Sequence, residues 1–192
     1  MVSPSQLTTL QNFGFEKNYQ ILNENVQELV EKELFSNYKN KNSNDFFTSY
    51  HRYDSIVEFL NTVHKEFPTN TQTFVLGQSF EKRNVMGIKL FEPSNNQTAK
   101  KNVWFSALQH SREWISPATN LFVLYNLLKL NKEGDQRVRK LFSQIVFHFV
   151  PVLNPDGYEH THTQNRLWRY ILTQNLEKIV DQIHQIHQLV LI

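Results

Sequence analysis

The stretch Val103-Trp-Phe-Ser-Ala-Leu-Gln-His-Ser-Arg-Glu-Trp-Ile-Ser-Pro-Ala118 joins an apolar run, a polar turn and the start of a helix. The run at 103–108 is nearly continuous in apolar residues, which favours a strand that is buried on both faces. The pair Ser116-Pro117 is typical of an N-cap followed by the first helical residue. Apolar residues then recur at helical spacing and predict a helix over 117–130.

Two side chains that can bind a metal follow the end of this predicted strand. His110 and Glu113 are three residues apart, so an imidazole nitrogen and a carboxylate oxygen can both reach a zinc ion at about 2.0–2.2 Å. In open α/β sheets, the carboxyl ends of the strands line the ligand crevices. The spacing alone also fits a polar turn residue beside an incidental glutamate, so the motif needs support from elsewhere in the chain.

A second group of motifs lies further along the chain. The run at 145–152 favours another strand, and Asn154-Pro-Asp-Gly157 is a strong turn signal. Thr163-Gln-Asn-Arg-Leu-Trp-Arg169 follows, and its two guanidinium groups suit a carboxylate or a polarised carbonyl oxygen. An ordinary solvated loop with a partly buried tryptophan is the alternative. The two strands and the helix between them predict an α/β fold with a partial mixed, mostly parallel sheet flanked by helices.

Together these motifs resemble the zinc carboxypeptidases of the pancreatic A/B type, peptidase family M14. The matching segments are 109–118, 152–158 and 163–169, in the order and at the spacing of that family. The resemblance covers roughly residues 13–169. It implies a carboxypeptidase-like fold and the zinc-dependent hydrolysis of C-terminal peptide bonds, with peptide or protein C-termini as substrates.

The resemblance also implies roles for individual residues. His110 and Glu113 match two ligands of one zinc ion. Arg169 matches the residue that binds substrate and stabilises the developing oxyanion, an electrostatic role worth about 3–4 kcal/mol in comparable sites. Arg112 matches a substrate-binding arginine, and Arg166 lines the same groove.

The chain departs from the family pattern in two places. Upstream of the histidine, where a glycine is common in the family, it has Ala107-Leu108-Gln109. After Arg169, no position matches the third zinc ligand, the Asn-Arg pair that grips the substrate carboxylate, the lid tyrosine or the glutamate base. Because catalytic zinc sites normally use three protein ligands, we expect a weakly active or inactive chain. The alternatives are a non-catalytic carboxypeptidase-like binding or regulatory protein, and a reading-frame error after the arginine.

The chain divides into four predicted parts. Residues 1–36 resemble a remnant of the family's inhibitory pro-segment, and the polar segment 37–49 is typical of a linker. Residues 50–170 match the N-terminal part of the catalytic domain. Residues 171–192 form a divergent tail.

The hydrophobic pattern predicts further elements along the chain. These are a strand at 19–22, a helix at 23–34, a helix at 55–66 and a hairpin of strands at 73–76 and 85–90. Asp54 is the predicted N-cap of the helix at 55–66, and Pro68 is predicted to end that helix. In the tail, an apolar stripe with heptad-like spacing predicts a helix over 172–190 that could self-associate.

Five further histidines lie in the predicted strand at 145–152, beside the arginine loop or in the tail. His184 and His187 fall beside the apolar stripe of the tail, which favours solvated side chains over zinc ligands. His148 lies within an apolar strand and is typical of a hydrogen-bonded core histidine. His160 and His162 flank the arginine loop, and no spacing argument selects either as a ligand.

Composition narrows the function classes. The chain has 192 residues, a net charge of +2 and no cysteine, which excludes disulfides and thiolate metal sites. No basic face argues for nucleic acid and no apolar run is long enough for a membrane span, so neither partner is expected. No signal peptide is visible at the start of the sequence, whereas the family resemblance implies an extracellular or secretory location.

Overall fold

The computed structural model describes residues 9, 12–14, 23, 25–40, 45–93 and 100–172. The chain divides into two units, Met1–Lys39 and Asn40–Ile192. The predicted strand at 19–22 lies outside the described residues, as does the tail from residue 173 onward, which includes His184 and His187.

Helix α1 spans Val26–Asn40. It overlaps the helix predicted at 23–34 and continues into the segment predicted as a linker. An ion pair between Lys32 and Glu28, one turn apart at 2.7 Å, lies on its surface. Of the apolar residues predicted to share one face of this helix, Val30 is buried, and the exposed ones are Val26, Leu29 and Leu34. The division into pro-segment, linker and catalytic part stays a prediction.

The second unit contains a four-stranded sheet with flanking helices. Its elements in chain order are a 3₁₀ turn at Phe46–Thr48, α2 at Tyr53–Glu66, β1 at Thr71–Gln78, β2 at Asn84–Leu90, β3 at Lys101–Ser106, α3 at Ile115–Glu133, α4 at Gln136–Gln144, β4 at Ile145–Val150 and α5 at Pro155–Thr163. The strands lie in the order β1-β2-β4-β3. The predicted α/β class, the mixed sheet and the flanking helices are confirmed.

The balance of strand directions differs from the prediction. β1 pairs with β2 and β2 with β4 in antiparallel fashion, while β3 pairs with β4 in parallel. The expectation of a mostly parallel sheet is therefore wrong for the described residues. The connection between β1 and β2 is short and allows only a hairpin, whereas α3 and α4 supply the long crossover that a parallel pair requires. Gly134 ends α3 in the left-handed conformation, with φ 89°.

The parallel pairing continues beyond the ends of β3 and β4. The Ala107 amide donates to the Val150 carbonyl at 3.0 Å, and the Ala107 carbonyl accepts from the Leu153 amide at 3.0 Å. The Asn154 amide donates to the Leu108 carbonyl at 3.2 Å. The two segments that leave the sheet at its carboxyl edge therefore run side by side.

The main core lies on one face of the sheet. Ile88 and Leu90 of β2 and Phe147 and Phe149 of β4 project from this face and are buried. Apolar side chains of three helices pack against them: Ile56, Leu60 and Val63 of α2, Leu121, Leu124 and Leu128 of α3, and Val138 and Phe142 of α4. The core thus fixes α3, and with it the turn that precedes this helix.

An aromatic cluster occupies the opposite face. Trp104 stacks on His148 with ring centroids 4.3 Å apart, and Phe74 meets both rings edge-on. The His148 ring donates to the Asn102 side-chain oxygen at 2.8 Å. Burial, with a smaller contribution from nearby Lys89, lowers the pKa of His148 to about 4, so the ring is neutral at pH 7. The prediction of a hydrogen-bonded histidine is confirmed, although the residue is half-buried.

Helix α2 is capped from a distant part of the chain. Asp54, the predicted N-cap, lies in the first helical turn instead. The Tyr53 amide donates to Glu159 Oε1 of α5 at 2.9 Å, and Arg52 forms an ion pair with the same carboxylate. The predicted cap is wrong because a side chain brought in by the tertiary fold satisfies the free amide at the helix start.

We predict that Glu159→Gln lowers the free energy of unfolding by about 1 kcal/mol at pH 7, because a charged acceptor is lost. Burial alone would raise the pKa of Glu159, but hydrogen bonds from Arg52 and Tyr53 outweigh it and lower the pKa below 4.5. A lowered folded-state pKa gives stability that is present above the unfolded-state pKa and is lost as the pH falls through the folded-state pKa. Urea denaturation should therefore show the difference from wild type narrowing below about pH 4.5.

Glu58→Gln on the exposed side of α2 provides the control and should match wild type within about 0.5 kcal/mol. A Glu159→Gln deficit that does not change with pH would contradict the capping role.

Candidate metal centre

A turn between β3 and α3 brings His110 and Glu113 together. The Glu113 amide donates to the His110 carbonyl at 3.1 Å, which closes the turn. His110 Nδ1 lies 2.9 Å from Glu113 Oε1, and the two side chains are 39% and 46% exposed. The strand-turn-helix arrangement predicted around these two residues is present, and both side chains reach solvent at the carboxyl end of β3.

The two atoms can supply donors to one cation. When the ring proton is on Nε2, Nδ1 of His110 and the carboxylate of Glu113 both direct lone pairs into the same space. Two donors 2.9 Å apart can both lie about 2.0–2.2 Å from one zinc ion. No third Cys, His, Asp or Glu joins them among the residues that the structure describes. The donor set therefore suits two corners of a zinc site.

A strained backbone residue precedes the turn. Leu108 has φ 55°, in the left-handed region that favours glycine. This conformation costs a leucine roughly 1–2 kcal/mol. Its amide donates to the Ser116 hydroxyl at 3.1 Å, and its side chain is buried. The chain therefore adopts, with a leucine, a backbone shape that glycine adopts without strain.

The start of α3 also differs from the prediction. The helix begins at Ile115, so Ser116 lies in its first turn and is not the N-cap. The Ser116 hydroxyl donates to the Glu113 carbonyl at 2.8 Å while it accepts from Leu108. The serine thus ties the end of β3 to the turn instead of capping the helix.

The three arginines of the predicted site lie in different settings. Arg169 is half-buried, and its Nη2 lies 3.3 Å from His110 Nδ1. Arg112 is exposed. Arg166 places its guanidinium 3.7 Å from the Trp114 ring centroid and donates from Nη1 to the Arg112 carbonyl at 2.8 Å. The structure thus brings Arg169 to the histidine, whereas Arg166 packs against the turn itself.

The predicted flanking histidines belong to the packing around Trp114 and Trp168. His162 stacks on Trp114 at 4.0 Å, and His160 contacts Trp168 at 4.8 Å. Trp114 is 2% exposed and donates from Nε1 to the Thr161 hydroxyl at 2.8 Å. The turn therefore rests on an aromatic layer contributed by α5.

Sequence reasoning missed two buried polar residues beside the turn. Ser111 is 0% exposed and Asn154 is 3% exposed. In the sequence, Asn154 stands out only as part of a turn signal, and no spacing rule selects a serine. A buried polar side chain needs hydrogen-bond partners, and those partners become visible only in three dimensions.

The sequence matches the family model described as "Zinc carboxypeptidase" over residues 56–179. The match covers most of the chain, and the fold agrees with it. This chain belongs to the zinc carboxypeptidase family.

Individual relatives define the similarity further. The chain is 35% identical over 128 residues to the inactive metallocarboxypeptidase ECM14 of Paracoccidioides brasiliensis, covering 66% of this chain and 22% of that protein. It is 29% identical over 162 residues to carboxypeptidase A4 of Mus musculus, covering 82% and 38%. The crystal structure of carboxypeptidase A from Helicoverpa armigera superposes with a TM-score of 0.80 at 27% identity, covering 91% of this chain and 44% of that chain.

The chain therefore spans less than half the length of these relatives. Among the described residues, no helix is both long and apolar enough to span a membrane.

We predict that Arg166→Lys lowers the free energy of unfolding by about 1 kcal/mol, because lysine keeps the charge but loses the planar stack on Trp114. Urea denaturation followed by tryptophan fluorescence measures the change. Arg112→Lys, at an exposed arginine, is the control and should change stability by less than about 0.5 kcal/mol. Equal stability of both variants would contradict a packing role for Arg166.

Proposed function

We propose that this chain is the N-terminal part of a metallocarboxypeptidase catalytic domain and that it binds one zinc ion through His110 and Glu113. The reaction of the complete site is the zinc-dependent hydrolysis of C-terminal peptide bonds, with peptide or protein C-termini as substrates. One observation carries the proposal: Nδ1 of the histidine lies 2.9 Å from Oε1 of the glutamate, beside the guanidinium of Arg169.

Each residue has a distinct chemical task in this proposal. Zinc, when bound, supplies a Lewis acid that polarises the scissile carbonyl and acidifies a water molecule. His110 and Glu113 hold the ion through nitrogen and oxygen donors. Arg169 donates hydrogen bonds to the oxygen on which negative charge develops, and a donor already aimed at that position needs no rearrangement. Arg112 is exposed and offers positive charge to a bound peptide substrate, with Arg166 lining the same groove.

We expect this chain to be weakly active or inactive. The described residues supply two zinc donors, whereas catalytic zinc sites normally use three protein ligands and an open position. In the same proposal, residues 1–36 are a pro-segment remnant, residues 37–49 are a linker, and the chain is extracellular or secretory.

A second candidate function is a non-catalytic binding or regulatory protein that keeps part of the cleft. The name of the relative ECM14, an inactive metallocarboxypeptidase at 35% identity, favours it. Self-association through 172–190 would belong to this alternative. Sedimentation of wild type and of Ile183→Asp tests this self-association. A wild-type dimer that the substitution disrupts supports the alternative function, whereas two monomeric proteins would contradict self-association through this segment.

Zinc binding tests the proposed site directly. We predict that wild type competes with a chromophoric chelator for one zinc ion and that His110→Ala or Glu113→Gln abolishes this competition, because one of two donors is lost. His64→Ala and Glu133→Gln are matched controls and should bind zinc like wild type. Equal binding by wild type and His110→Ala would contradict the proposed site.

Activity is tested separately on a blocked dipeptide. We predict little or no turnover above that of His110→Ala. Sustained turnover that a chelator stops would contradict the expected incompetence and leave the metal site standing.

A further inference from the structure

We propose that two buried residues, Ser111 and Asn154, form a polar clamp that positions His110 and Arg169 relative to each other. The inference rests on the proposed function, because it assigns Asn154 and Ser111 as positioning residues for that site. Both act through the backbone of the two segments that carry His110 and Arg169.

The amide of Asn154 joins three segments. Its Nδ2 donates to the Tyr170 carbonyl at 3.1 Å and, at the longer distance of 3.4 Å, to the Gln109 carbonyl. Its Oδ1 accepts from the Gly157 amide at 2.9 Å, at the start of α5. The residue therefore bonds the backbone immediately before His110 and immediately after Arg169.

Gly157 makes room for this bridge. A Cβ atom at this position would lie 2.5 Å from Asn154 Nδ2 and 2.7 Å from the Tyr170 carbonyl oxygen. Both distances are shorter than a side chain tolerates. A glycine therefore lets the amide and the carbonyl approach each other over the first turn of α5.

Ser111 supplies the other half of the clamp. Its hydroxyl donates to the Trp168 carbonyl at 2.7 Å, and its amide donates to the Arg169 carbonyl at 3.3 Å. The residue is fully buried and directly follows His110.

Three consecutive carbonyls of the arginine loop thus accept from the clamp: those of Trp168, Arg169 and Tyr170. If the loop moved away from the His110 turn, the carbonyls of residues 168–170 would lose the donors that Ser111 and Asn154 supply. The 3.3 Å distance between Arg169 Nη2 and His110 Nδ1 therefore depends on the clamp. Outer residues that orient metal ligands typically change metal affinity by about 10–100-fold.

The test must separate positioning from helix capping, because Asn154 does both. Asn154→Asp keeps an acceptor oxygen for the Gly157 amide, and aspartate is a good N-cap. It removes the Nδ2 donor and places a carboxylate against two carbonyl oxygens. Asn120→Asp is the matched control, since Asn120 is also buried and donates from Nδ2 to a backbone carbonyl, that of Phe105 on β3.

Two readouts on the full-length chain test the clamp. Hydrogen exchange of the Ser111 amide reports the bond to Arg169, and competition with a chromophoric chelator reports zinc affinity. We expect Asn154→Asp to speed this exchange by at least about tenfold and to weaken zinc binding about tenfold. Asn120→Asp should change either value by less than about twofold. Visible absorption of bound cobalt should shift in Asn154→Asp alone, because it responds to ligand geometry.

Each outcome decides a different claim. Unchanged Ser111 exchange in Asn154→Asp overturns the clamp, and faster exchange with wild-type zinc affinity overturns its positioning role. If wild type binds no zinc, the proposed function fails, while the exchange result still tests the clamp. If Asn154→Asp does not fold, Ser111→Ala replaces it. We then expect faster exchange of the residue-111 amide, which donates to the Arg169 carbonyl, and weaker zinc binding. Wild-type values for both would overturn the inference.

Discussion

The parallel pairing of β3 with β4 is the constraint on which the candidate site depends. Because two parallel strands end at the same edge of a sheet, the segments that follow them emerge together. Here the pairing continues past both strands, from Ala107 to Leu153 and from Leu108 to Asn154. Residues more than 40 positions apart in the chain therefore meet at one edge. The turn with His110 and the start of α5 are neighbours for this reason.

Local and tertiary contributions to the site can be distinguished. The pairing of His110 with Glu113 is local, since a single turn with one backbone hydrogen bond closes it. The approach of Arg169 is tertiary, because its loop is held by the buried donors of Ser111 and Asn154. Leu108 connects the two, as its left-handed backbone is bonded to both the helix start and the segment after β4. Strain at one residue is thus offset by bonds from two directions.

The sequence predicted what periodicity and spacing encode. Apolar runs and amphipathic helices leave strong patterns, so the sequence predicts the β1–β2 hairpin and the β3-α3-β4 unit. The expectation that β3 is buried on both faces is wrong, because β3 lies at the end of the described strand order and its residues are half-buried or exposed. The helix starts were predicted wrongly at Asp54 and Ser116, because in the fold Glu159 serves the start of α2 and the serine bonds the turn instead. The clamp could not be predicted. A serine and an asparagine have no periodic signal, and the carbonyls to which they donate lie in other segments of the chain.

The central claim is that Nδ1 of His110 and the carboxylate of Glu113 share one metal ion. The most direct measurement is anomalous X-ray scattering at the zinc absorption edge from crystals of the chain grown with zinc. We predict a peak about 2.0–2.2 Å from both His110 Nδ1 and a Glu113 carboxylate oxygen. A peak on Nε2 of the imidazole, or an ordered His110 turn in zinc-saturated crystals with no peak beside it, would contradict the account.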